Sequence, residues 1–81
     1  MVKFQYKMKA SEIKKLIENE LQGSVAEVTD AQNSGDHFSA TVVWSGFEGM
    51  SLIEQHKAVY KTVSNLLTNQ IHALQLKTKI K

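Results

Sequence analysis

Residues 35–60 read GDHFSATVVWSGFEGMSLIEQHKAVY. Along this stretch the hydrophobic pattern changes period, and the change predicts a strand, a tight loop and a helix in succession. Phe38, Ala40, Val42 and Trp44 alternate with His37, Ser39, Thr41 and Val43. That is the pattern of a half-buried strand with its aromatics facing the core. Ser45-Gly46-Phe47-Glu48-Gly49 then breaks the strand. Ser51 and Glu54 form an S-x-x-E capping box, in which each side chain can satisfy a free backbone N–H at a helix start. Ile53, His56, Val59, Tyr60, Val63, Leu66 and Leu67 recur at helical spacing. The main core helix is therefore expected over 52–67, closed by Thr68-Asn69.

Upstream, residues 31–36 (AQNSGD) are turn chemistry throughout. Val25, Ala26 and Val28 form a short strand that fades at Thr29-Asp30 and pairs with the next strand as a hairpin. Ser11 is a suitable helix N-cap, with Glu12 adding negative charge to the first turn. Ile13, Leu16, Ile17 and Leu21 make one apolar stripe, and Gly23 stands where a left-handed C-cap glycine belongs. A helix over 11–22 follows. Residues 1–10 alternate basic and bulky side chains and read as a short strand, a loose arm or a lid on that helix.

Downstream, residues 71–78 (IHALQLKT) alternate again. Leu74 and Leu76 share a face with His72, while Ala73, Gln75 and Lys77 share the other. This is a third strand, with a frayed tail at Lys79-Ile80-Lys81. The order is helix, strand, strand, helix, strand. A helical crossover allows a parallel pair, so the expected fold is α+β: a mixed three-stranded sheet with both helices packed on one face.

Composition narrows the function classes. At 81 residues the chain is one domain, with residues 1–10 as an arm and 11–79 as its core. It has no cysteine, so it cannot supply a thiolate to zinc or to an iron–sulfur cluster. No run reaches the roughly 18 apolar residues of a membrane span, and the basic N-terminus lacks the apolar centre of a secretory signal. The expectation is a cytoplasmic protein without membrane contact. Net charge is +2, and all ten basic residues are lysines. Lysine excess supports weak, salt-sensitive attraction to polyanions, whereas bidentate reading of guanine is arginine work.

Four blocks stand in order: Gly35-Asp36-His37-Phe38, Phe47-Glu48-Gly49, Gln55-His56-Lys57-Ala58-Val59-Tyr60 and Ile71-His72-Ala73-Leu74. Together they resemble the BolA family over residues 11–79. The resemblance implies a KH-like α-β-β-α-β domain, the element order already reached from the pattern. It implies a monothiol glutaredoxin as partner and a [2Fe–2S] cluster held between the two proteins. In that arrangement the glutaredoxin and glutathione give thiolates, and the BolA-like chain gives the histidine of its third strand, His72 by position. The chain alone would carry no cofactor and be a monomer or weak homodimer. A second ligand in the family comes from the hairpin loop. Ser34 lies about where one branch has cysteine, and His37 is the one imidazole near that loop. Many members have Arg-His-Arg where this chain has Gln55-His56-Lys57, so its DNA-facing character is reduced.

Each histidine also has a plain reading. His72 reads from spacing alone as a strand-end residue at the core edge, and the resemblance makes it a cluster ligand. A ligand imidazole must be neutral, so binding is expected to weaken below about pH 6. His37 reads equally as an exposed strand-start residue and as the loop-side ligand. His56, on the apolar stripe, reads as a hydrogen-bonded core residue tying the helix to the loop at 46–49. Gly46-Phe47-Glu48-Gly49 spells the GxxG of nucleic-acid-clamping KH domains, but it joins strand to helix and carries Glu48. Two functions compete: a glutaredoxin-binding adaptor in iron–sulfur cluster trafficking or iron regulation, and a KH-like nucleic-acid-binding regulator.

Overall fold

The computed structural model describes residues 9–30, 37–64 and 73–81. The elements are α1 (Ala10–Glu20), β1 (Val25–Asp30), β2 (His37–Val43), a short 3-10 turn (Ser45–Phe47), α2 (Leu52–Thr62) and β3 (Ala73–Lys79). The sheet order is β1-β2-β3. β1 pairs antiparallel with β2, and β2 pairs parallel with β3. The α+β fold with a mixed three-stranded sheet and two helices is thus as the pattern predicts. The expected turn at 31–36, the helix end at 65–69 and the strand start at Ile71-His72 lie outside the described residues.

Register sorts the sheet into two faces. Ala26, Val42 and Thr78 stand in one row, Val28, Ala40 and Leu76 in the next, and Asp30, Phe38 and Leu74 in the third. Ala26, Phe38, Ala40, Val42 and Leu74 are buried there with Ile13 and Ile17 of α1, with its C-cap Leu21, and with Val59 and Val63 from the second helix and its cap. The opposite face carries Val25, Glu27 and Thr29 on β1, His37, Ser39, Thr41 and Val43 on β2, and Gln75, Lys77 and Lys79 on β3, none of them buried.

Several boundaries differ from expectation, each for a local reason. α1 begins one residue earlier, with Lys9 as N-cap and Ser11 already inside the helix. The Glu12 carboxylate accepts the Lys9 N–H at 2.9 Å, satisfying a donor the first turn leaves free. β1 continues through Asp30, because Thr29 and Asp30 stay in register with Ser39 and Phe38. α2 ends at Thr62 rather than near 67, and Val63 is its C-cap. The Thr62 hydroxyl donates to the Val59 carbonyl at 2.7 Å, a side-chain bond that competes with continued helix. The tail does not fray at Lys79: Trp44 N–H donates to its carbonyl at 3.0 Å and extends the parallel ladder.

The buried line of α2 also departs from the aliphatic stripe. Gln55, Val59 and Val63 point inward, at spacings of four, while Ile53 is 68% exposed. Gln55 occupies a core position because both ends of its amide are bonded. Its Nε2 donates to the Met50 carbonyl at 3.1 Å, and its Oε1 accepts from the Thr78 hydroxyl at 2.6 Å. The capping box holds as expected, with Glu54 N–H donating to Ser51 Oγ and Ser51 N–H to Glu54 Oε1.

Candidate functional site

Because β2 and β3 run parallel, their N-terminal ends lie together at one end of the sheet. His37 opens β2 and is the register partner of Ala73, which opens β3. His37 is half-buried and belongs to the solvent-facing row of the sheet. His72 lies outside the described residues, and it precedes Ala73 in the chain. Ser34 also lies outside them.

His56 is not the tie that the sequence suggests. Its Nε2 is buried without a hydrogen-bond partner among the described residues. Its ring instead meets Tyr60 edge to face, with centroids 6.4 Å apart. The tie from helix to loop is made by Gln55 through the Met50 carbonyl. Tyr60 reaches the other way, donating its hydroxyl to the Leu74 carbonyl at 3.0 Å. It thereby anchors α2 to the beginning of β3, two residues beyond His72. Spacing marked Tyr60 only as another stripe residue, since its polar tip has no signal in a hydrophobic pattern.

The far end of the sheet holds the GxxG-like loop. Phe47 is fully buried, so the loop's aromatic is committed to the core. Trp44 was expected in the core with Phe38. It is half-buried instead, edge-on to Phe47 at 5.2 Å, with its indole N–H donating to the Gln22 carbonyl at 2.8 Å. Gly46 is set by that indole: a Cβ there would overlap the Trp44 ring. Gly49, with φ +85°, makes the turn into α2.

Between β2 and β3 the solvent face has a shallow groove lined by Ser39, Thr41, Gln75 and Lys77. The Ser39 hydroxyl approaches the Gln75 side-chain oxygen at 3.4 Å. Among these lining side chains there is no paired acid and base of the kind hydrolysis or group transfer needs. No helix among the described residues is long and apolar enough to cross a membrane.

The family model described as BolA-like protein matches residues 12–81. The chain belongs to the BolA-like family. An uncharacterized protein of Rickettsia prowazekii is 33% identical over 69 residues, spanning 85% of this chain and 90% of that protein. A Vibrio cholerae protein named DNA-binding transcriptional regulator BolA is 34% identical over 73 residues, spanning 82% of this chain and 69% of that one. Among solved structures, BolA1 from Arabidopsis thaliana superposes with a TM-score of 0.79 at 26% identity, covering 94% of this chain and 95% of that one. The BolA fold therefore extends over nearly the whole chain, and the His37–Ala73 pairing lies within the matched region.

Proposed function

We propose that this BolA-family chain is a non-catalytic adaptor that binds a monothiol glutaredoxin. It supplies imidazole ligands, His72 and His37, to a [2Fe–2S] cluster carried jointly with glutathione, in cluster trafficking or iron regulation. The observation that carries the reading is the parallel register of His37 with Ala73. His72 directly precedes Ala73 in the sequence. Imidazole replaces thiolate on one iron in Rieske-type centres, so the donor chemistry fits. With no cysteine in the chain, the thiolates belong to the glutaredoxin and glutathione. Tyr60 supports the same end of the sheet by holding the Leu74 carbonyl.

The test is to mix the chain with glutathione-loaded glutaredoxin cluster and follow visible circular dichroism. The expected result is a new spectrum on mixing that His72→Ala abolishes. An unchanged spectrum on mixing, or one indifferent to that substitution, refutes the reading.

A second reading, a nucleic-acid-binding regulator, is favoured by the name of the Vibrio relative and by exposed Lys57 and Lys61 on α2. It requires an affinity that falls steeply with salt and discriminates among duplexes. A gel-shift titration at two salt concentrations against several duplexes separates the two.

A further inference from the structure

The two edges of the sheet are finished differently. Trp44 N–H donates to the Lys79 carbonyl, and the Trp44 carbonyl accepts from Lys81 N–H. The odd-numbered residues of β3 therefore turn their backbone groups toward β2, and the even-numbered ones turn theirs outward. Tyr60 confirms the direction by bonding the Leu74 carbonyl from outside. Past Leu74, no described residue bonds the outward backbone groups of Leu76 or Thr78. The opposite edge is closed at the matching position. Ala26 of β1 has its N–H taken by the Glu18 carboxylate at 2.8 Å and its carbonyl by Lys14 Nζ at 2.7 Å. A bare edge is a template for one more strand.

The side chains flanking the bare edge say what kind of strand it fits. On the solvent face Gln75, Lys77 and Lys79 are exposed. On the helix face Leu76 is half-buried and Ile80 is 49% exposed. An incoming strand sets its alternate side chains beside these two rows. A second copy of β3 would bring lysines beside lysines. The chain's own residues 1–8 alternate well, but their polar row holds Lys3 and Lys7. Like charges disfavour both, and the lysine row favours carboxylates. The geometry points to the outer edge of β3, from Leu76 to Ile80, as the docking site for an extended segment of a partner protein in which Asp or Glu alternates with apolar residues.

The experiment uses the isotope-labelled full-length chain and a synthetic peptide of alternating Glu and Val, about eight residues long. A matching peptide of Lys and Val is the control. The acidic peptide should shift the Leu76, Thr78 and Ile80 amides and slow their exchange about tenfold at about nine-tenths saturation. Added salt should weaken the effect, and the basic peptide should have none. Ile80→Pro, which removes one outward donor at an exposed position, should weaken peptide binding without moving the thermal midpoint. Three results would overturn the inference. One is Leu76 and Thr78 amides already protected in the free monomer, which would mean the chain covers its own edge. Another is protection that appears only in a dimer seen by sedimentation. The last is no response to the acidic peptide. Neither iron nor glutaredoxin enters the measurement, so its outcome is independent of the function proposed above.

Discussion

The Glu18 carboxylate accepts the Ala26 N–H at 2.8 Å while Lys14, ion-paired to Glu18, donates to the Ala26 carbonyl. Two side chains of α1 thus take the place of a neighbouring strand along β1 and lock the helix to the sheet edge. The Ala26 bond, followed by the Lys14 bond, holds the Glu18 carboxyl below the usual carboxylate range. A carboxylate with a depressed folded-state pKa adds stability above its unfolded value, near 4.3, and that stability is lost as pH falls through the folded value. Acid titration of the thermal midpoint should show this loss in the wild type. Glu18→Gln should flatten that part of the profile, and Glu18→Ala should cost about 1 kcal/mol at neutral pH.

Gln55 and Thr78 should behave as a coupled pair. Gln55→Leu removes the bond to Met50 and strands the Thr78 hydroxyl, at an expected cost of about 1–3 kcal/mol. Adding Thr78→Val removes the stranded hydroxyl, so the double variant should be less destabilised than the sum of the single ones. Urea denaturation of the four proteins gives the coupling energy directly.

Gly46→Ala should destabilise by about 1–3 kcal/mol, because the new methyl displaces the indole that packs over the glycine. Trp44 is the chain's single tryptophan, so its fluorescence reports the displacement specifically. The indole N–H bond to Gln22 should break at the same time.

Ser24 is buried, and its hydroxyl has no partner among the described residues. Ser24→Ala should therefore be neutral or raise the thermal midpoint, since it deletes an unsatisfied buried group. A fall in the midpoint by calorimetry would show that the hydroxyl is bonded after all.

His37→Ala tests the second ligand of the proposed function. The position is half-buried on the open face, so the fold should survive the change. The shared cluster should form with an altered visible spectrum and reduced lifetime, whereas His72→Ala should prevent its formation on this chain. Equal spectra for wild type and His37→Ala would remove His37 from the ligand set.

Most of the architecture was legible in the sequence because it rests on periodicity. Alternation around Phe38, Ala40 and Val42 specified β2 and its buried face, and S-x-x-E located the start of α2. Gly23 marked the end of α1 and adopts φ +88°. The errors fall where polar chemistry overrules hydrophobicity. Gln55 took the inward position expected of Ile53, since its amide finds both a carbonyl and a hydroxyl. Trp44 packs at the rim of the core rather than inside it, because its indole N–H has the Gln22 carbonyl to reach just beyond α1.

For the candidate site, the sequence alone supplied His37, His72 and their family resemblance. Tertiary structure set His37 across from Ala73, a relation fixed by the parallel register of two strands 36 positions apart. It also decided that the outer edge of β1 is closed at Ala26, while no described residue bonds the outward backbone groups of Leu76 and Thr78 on β3. That distinction depends on where Lys14, Glu18 and Tyr60 meet backbone groups remote in sequence, and side-chain reach across elements leaves no periodic trace in the chain.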